Sequence, residues 1–174
     1  MNKSNDCYRP SDDTFLLAGY VEIFSGERAL EIAAGTGYLS NLLKEKFSSV
    51  VATDVNPDAI REVDKSIHLV CCDSASAVVN FKFDLIVINP PYLLSQSIED
   101  VAVDGGKDGT EVTLKMLEDA IRLLKCNGTI LFVTSSLANY NKLLAYIRKR
   151  GYKTDIVATK KFDYEQLFVI EAKR

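Results

Sequence analysis

Long apolar runs are missing from this 174-residue chain. None approaches the 18 or so residues that a membrane-crossing helix needs, so no membrane association is expected. The opening residues, Met1 to Cys7, are too polar to read as a secretory signal, and a cytoplasmic location is expected. Metal-binding cysteine spacing is missing too. Cys7, Cys71, Cys72 and Cys126 form no C-x-x-C, and His68 is the single histidine. A metal site made by this chain alone is therefore not expected, and scattered free thiols fit a reducing compartment. Cys71 and Cys72 end an apolar run and are expected to pack as small hydrophobes, with His68 a structural histidine in the same run. Linkers, repeats and low-complexity segments are lacking as well. That leaves one domain over residues 1–174, with no room for a second of ordinary size.

What is present is enough for a core: 47% of residues are apolar, which excludes a disordered chain. Charge is unevenly divided. Residues 1–120 hold 10 Lys/Arg against 20 Asp/Glu, and residues 121–174 hold 11 against 4. The positive part gathers at Arg148-Lys149-Arg150, Lys153 and Lys160-Lys161. It reads either as a solvated helix end and hairpin or as a weak RNA- or ribosome-facing patch.

Strand and helix signals alternate along the chain, which predicts an α/β fold with a mostly parallel sheet and helices on both faces. Ser11 caps a helix entering Phe15–Ile23, with Asp12 and Asp13 complementing its dipole. That explanation leaves Tyr8, Arg9 and Thr14 unused. Strands follow at Arg28–Ala33, Val50–Asp54 and Ile67–Cys71, with helices at Tyr38–Phe47 and Asp58–Lys65 between them. A helix Glu111–Leu124, ended by Asn127-Gly128, leads to a strand Thr129–Thr134 and a helix Tyr140–Arg150. The last two strands, Tyr152–Ala158 and Gln166–Ile170, form a hairpin. The count is seven strands, the final one antiparallel.

Chemistry concentrates at the ends of these strands. Gly35 and Gly37, spaced by one residue, let backbone approach a ligand closely. The third glycine of a dinucleotide fingerprint is missing, since Ser40 stands in its place, and Glu31 before the loop would repel a pyrophosphate. Asp54 follows Gly35 by 19 residues, the spacing at which a carboxylate accepts ribose hydroxyls. Asn56-Pro57 already supplies a helix cap, so Asp54 is read as a ribose ligand. The continuous apolar strand Leu85–Ile88 stops at Asn89-Pro90-Pro91-Tyr92, where two prolines stiffen the chain just past the sheet edge. This turn aims the Asn89 carboxamide oxygen and the Pro90 carbonyl outward, with Tyr92 as an aromatic wall. Beyond it lies a 16-residue loop, Leu93–Asp108, expected to be a binding loop poorly ordered without substrate.

The Asn-Pro-Pro-Tyr turn, the glycine loop, Pro10-x-x-Asp13-Thr14 and Gly105-Gly-x-Asp-Gly109 together resemble the class I S-adenosylmethionine (AdoMet)-dependent methyltransferases. Within these the chain looks most like the HemK-type protein-glutamine N5-methyltransferases, in their short archaeal–eukaryotic branch. The resemblance covers essentially the whole chain and implies the Rossmann-like sheet of that class. It implies AdoMet as cofactor, touched by Thr14, Glu31, Gly35, Gly37, Asp54, Asp73, Ser74 and Asn89, with Asp73 and Ser74 at the adenine. It also implies, as acceptor, the glutamine of the Gly-Gly-Gln motif in a class I translation release factor, and a small zinc-binding activator subunit as partner. Ala33-Ala34 departs from the family, where a more polar residue is common, and little effect is expected.

Asn89, Pro90 and Tyr92 would then carry the reaction. Their acceptors grip a planar amide by its N–H groups and aim its lone pair at the methyl carbon, about 3–3.5 Å away. An RNA or DNA base amine has the same chemistry and remains open as acceptor. A binding module that keeps the fold without turnover also remains open.

Overall fold

The computed structural model describes residues 8–95 and 102–174. Cys7 and the middle of the acidic glycine loop lie outside the described residues. In chain order the elements are α1 Asp12–Val21, β1 Gly26–Ile32, α2 Tyr38–Leu43, β2 Phe47–Asp54, α3 Pro57–Glu62, β3 His68–Cys71 and β4 Phe83–Ile88. They continue with α4 Glu111–Leu123, β5 Leu124–Ser135, α5 Tyr140–Arg148, β6 Lys153–Lys161 and β7 Gln166–Lys173.

The seven strands form one sheet in the order β3-β2-β1-β4-β5-β7-β6. The first five are parallel neighbours, and β7 slots antiparallel between β5 and β6. The predicted mostly parallel sheet with an antiparallel last strand is observed. Ile32 lies level with both Thr53 and Ile88, so β2, β1 and β4 end side by side. The strand order reverses between β1 and β4, and a crevice opens at such a reversal.

Two cores, one on each face, hold the helices. The apolar run in β4 alternates strictly: Ile86 and Ile88 join the cluster under α4 and α5, and Leu85 and Val87 join the one under α1 and α2. All four are at most 1% exposed. Both faces being buried is why the sequence shows a continuous run rather than alternation. α4 contributes Met116, Leu117, Ala120 and Leu123 to the first cluster, close to the helical spacing read from sequence.

Several local expectations are corrected. Helix α2 stops at Leu43, because Phe47 already pairs with Gly26 as the first residue of β2. Asn127-Gly128 does not end α4. The helix passes straight into β5 at Leu124, and a register shift opposite Phe83 and Leu85 absorbs the extra residues. A Cβ on Gly128 would meet Leu124 and the Phe83 carbonyl at 2.9 Å, so glycine is needed for close approach rather than for a cap. Cys71 and His68 are exposed, not packed in the core, because β3 is the outer edge of the sheet. Among the described residues no helix is long and apolar enough to cross a membrane.

The loop expected to be poorly ordered is tied down at both described flanks. Leu93 N donates to Val103 O at 3.0 Å, Gly105 N to Leu93 O at 2.8 Å and Ser95 N to Gly106 O at 3.0 Å. Its glycines allow the backbone to press on the proline turn: a Cβ on Gly105 would lie 2.8 Å from Tyr92 Cα and 2.9 Å from Pro91 O.

Candidate active site

At the β1–β4 reversal, α1 lays its first turn across the strand ends and closes a cleft. Tyr8, Thr14, Glu31, Ala33, Tyr38 and Asn89 are among its lining residues, and its empty volume is about 250 Å³, open mouth included. The floor is Glu31, 2% exposed near the end of β1. The hydroxyl of fully buried Ser40 donates to its Oε2. Burial pushes the Glu31 carboxyl up to about 8. The Ser40 hydrogen bonds oppose that shift and the charge on Asp54 adds to it. The residue that replaces the third fingerprint glycine is therefore a ligand of the buried acid.

The turn after β1 winds tightly. Ala33, Gly35 and Gly37 have φ of 61°, 52° and 77°. Ala33 is the one non-glycine among them and bears the strain at the cleft wall. A Cβ on Gly37 would come within 2.7 Å of Val63, so glycine is needed for packing as well as for its angle. Asp54, assigned to ribose because Asn56-Pro57 already supplies the cap, has backbone partners of its own. Its Oδ2 accepts from Gly35 N and its Oδ1 from Asn56 N, each at 2.8 Å, so it clamps the glycine turn to the end of β2. Asn56 caps α3 as expected, accepting from Asp58 N at 2.9 Å.

Past β4, Pro90 and Pro91 are buried and every described peptide is trans. Asn89 Nδ2 donates to Thr14 Oγ1 at 3.0 Å. Asn89 Oδ1 is buried with no partner among the described residues. A buried amide oxygen normally has a donor, and leaving it without one costs about 1–3 kcal/mol. Tyr92 is not a free aromatic wall: its ring packs on the α1–α2 core and its hydroxyl donates to Asp13 Oδ2 at 3.1 Å. Burial, with Asp13 next, raises the pKa of the Tyr92 phenol well above its ordinary value. Tyr8 behaves alike, its hydroxyl 2.6 Å from Asp13 Oδ1.

Thus Thr14, Glu31 and Asn89 line the cleft, and Gly35, Gly37 and Asp54 form the turn beside it. Asp73 is not among the cleft residues: it stands exposed one strand further out and pairs with Lys115 of α4. Ser74 beside it is buried at φ 54°, and α4 holds the same turn through Asp119, which accepts from Ala75 N at 3.1 Å. Sequence reasoning missed Asp13 as a site residue, taking it for a helix-dipole acid. The signal was Tyr8 and Thr14, which capping left unexplained. In the basic third, Lys160 pairs with Asp12 at 2.8 Å and Arg150 stacks 3.5 Å from the Tyr146 ring centre. Lys149, Lys153 and Lys161 are exposed and form no ion pair among the described residues.

The family model described as methyltransferase small domain matches residues 12–164. Protein N5-glutamine methyltransferase MJ0928 of Methanocaldococcus jannaschii is 30% identical over 182 residues, spanning 97% of this chain and 92% of its own. Human methyltransferase HEMK2 is 27% identical, over 96% and 89%. Among solved structures, the E. cuniculi Mtq2–Trm112 complex, responsible for methylating the termination factor eRF1, aligns with a TM-score of 0.84. That match has 26% identity and covers 97% of this chain and 98% of that one.

Proposed function

This chain belongs to the methyltransferase small domain family, and we propose that it transfers the methyl group of AdoMet to the side-chain amide nitrogen of a protein glutamine. The acceptor is the glutamine of the Gly-Gly-Gln motif of a class I release factor, in line with the activities named for its relatives. The observation that carries this reading is Asn89 Oδ1, a buried acceptor on the wall of the cleft with no donor among the described residues. An incoming amide N–H supplies the donor it lacks.

The residues at the cleft fit AdoMet: a buried carboxylate suits a cation, the glycine turn allows close approach, and Asp54 at the end of β2 would accept from ribose hydroxyls. When bound, AdoMet supplies an electrophilic methyl carbon on a sulfonium. The chain's own residues do the rest. Glu31 holds the ammonium, and Asp54 keeps lone pairs for ribose while clamping the glycine turn. Asp73 and Ser74 receive the adenine. Asn89 Oδ1 and the Pro90 carbonyl accept the two N–H groups of the substrate amide, which returns electron density to a delocalised nitrogen and fixes its approach. Tyr92, held by Asp13, keeps the turn in place.

We propose further that the chain works as a single cytoplasmic domain with a small zinc-binding activator subunit; the solved Mtq2–Trm112 complex supports a protein partner for this fold. Lys149, Lys153 and Lys161 offer a weak RNA or ribosome contact. The test is transfer of labelled methyl from AdoMet to a purified release factor. Label should appear on the wild-type factor and vanish when the Gly-Gly-Gln glutamine becomes alanine. Label that survives protease but not nuclease would move the acceptor to a base amine.

A further inference from the structure

We propose that Asp13 is a positioning residue for methyl transfer: acting through Thr14, it decides which way round the Asn89 carboxamide sits. The proposal rests on the reading that Asn89 Oδ1 receives the substrate amide. It adds the device that keeps that oxygen available.

The argument is a count of protons. A carboxamide has two nearly isosteric ends, and either can face a hydroxyl. A threonine hydroxyl has one proton to give. Thr14 Oγ1 lies 3.1 Å from Asp13 Oδ1. A carboxylate only accepts, so the Thr14 proton is committed to Asp13. Thr14 Oγ1 is left with lone pairs alone, one of which lies 3.4 Å from Ser11 N. The other can be met only by a donor, so Asn89 must present Nδ2, as observed at 3.0 Å. Its Oδ1 is thereby turned away from Thr14, and among the described residues it stays unpartnered. With the proton on Thr14 free, the amide could flip and satisfy its oxygen internally, leaving an N–H pair to repel the N–H groups of the acceptor.

Asp13 is built for this task. It is 6% exposed, whereas neighbouring Asp12 reaches solvent and pairs with Lys160. Four donors converge on it: the Tyr8 hydroxyl, Thr14 N and Thr14 Oγ1 on Oδ1, and the Tyr92 hydroxyl on Oδ2. Two phenols 84 residues apart grip opposite oxygens, so the carboxylate cannot turn away from Thr14.

Two measurements test it. In methyl-transfer assays Asp13→Asn should lower kcat about 10- to 100-fold. In an Asn89→Ala background the same change should alter kcat less than about twofold, because its target is gone. Equal losses in both backgrounds would mean Asp13 serves folding only and would overturn the proposal. The second readout needs no acceptor. The Asn89 side-chain N–H pair, assigned by its absence in Asn89→Ala, should exchange slowly with water in the wild type and in Thr14→Ser. It should exchange fast in Asp13→Asn and Thr14→Val. A protected amide in either fast variant overturns the proposal, and Thr14→Val decides alone if Asp13→Asn does not fold. If the wild type methylates no release factor, the proposed function fails, and amide exchange still settles the role of Asp13.

Discussion

The two halves of the cleft edge are built differently. On the β1–β4 side, Glu31 is an acid withdrawn from water, and Asn89 Oδ1 is buried without a partner among the described residues. On the β2–β3 side, both Asp54 oxygens already take backbone N–H groups and Asp73 sits in solvent against Lys115. Unmet capacity in a buried place costs stability, and a fold keeps it where a ligand repays the cost. Satisfied acids at the surface cost little and orient contacts without driving them. The deep half should therefore govern rate and charge recognition, and the shallow half affinity and order.

The largest effect expected from this contrast is at Asn89. Asn89→Ala should lower kcat about 100- to 1,000-fold, as loss of one preorganised contact to the reacting group does in other enzymes. AdoMet affinity should fall much less, read by calorimetry on the same protein. A matching fall in affinity would erase the distinction between the halves.

Next comes the pH response of Glu31. Its carboxyl is raised from 4.5 to about 8 by burial, so the empty folded protein holds a proton that the unfolded chain releases above 4.5. Its contribution to stability is complete below 4.5 and declines as pH climbs to about 8. Binding of a cation runs the other way, since it favours the ionised acid. AdoMet affinity should tighten by up to about tenfold per pH unit from 6 to 8 and level off above, with release of up to one proton. Glu31→Gln should flatten that slope, and an unchanged slope would remove Glu31 from the cation site.

On the shallow side, Asp73→Ala should weaken AdoMet roughly tenfold, the value of one hydrogen bond to a charged group, with kcat little changed at saturation. The smallest effect is at the seam between the halves. Ala33→Gly relieves a left-handed φ of 61° and should raise unfolding free energy by about 1 kcal/mol in urea titration.

How far the site was legible follows the same division. Residues whose role depends on sequence spacing were readable: Gly35, Gly37, Asn89 and Asn56 stand at strand ends that periodicity locates. Residues whose role depends on what lies opposite were not. Asp12 and Asp13 look identical as first-turn acids, yet one meets Lys160 and the other meets Tyr8, Thr14 and Tyr92. Asp54 was assigned to ribose alone because Asn56-Pro57 already supplied a cap, while its bond to Gly35, 19 residues away, leaves no mark in the sequence. Cys71 and His68 were read as core because an edge strand and a central strand can carry similar letters.

The sequence alone determined the alternation of strand and helix, the doubly buried β4 and the stiff turn at Asn89, because local sterics and side-chain period act within a few residues. Strand order placed β3 at the edge, and only folding decided which buried polar atoms would find partners. Hydrogen bonds close over 75 or 79 residues, as from α1 to Asn89 and Tyr92. Neither end of such a bond carries a mark of the other until packing brings them within 3 Å or so.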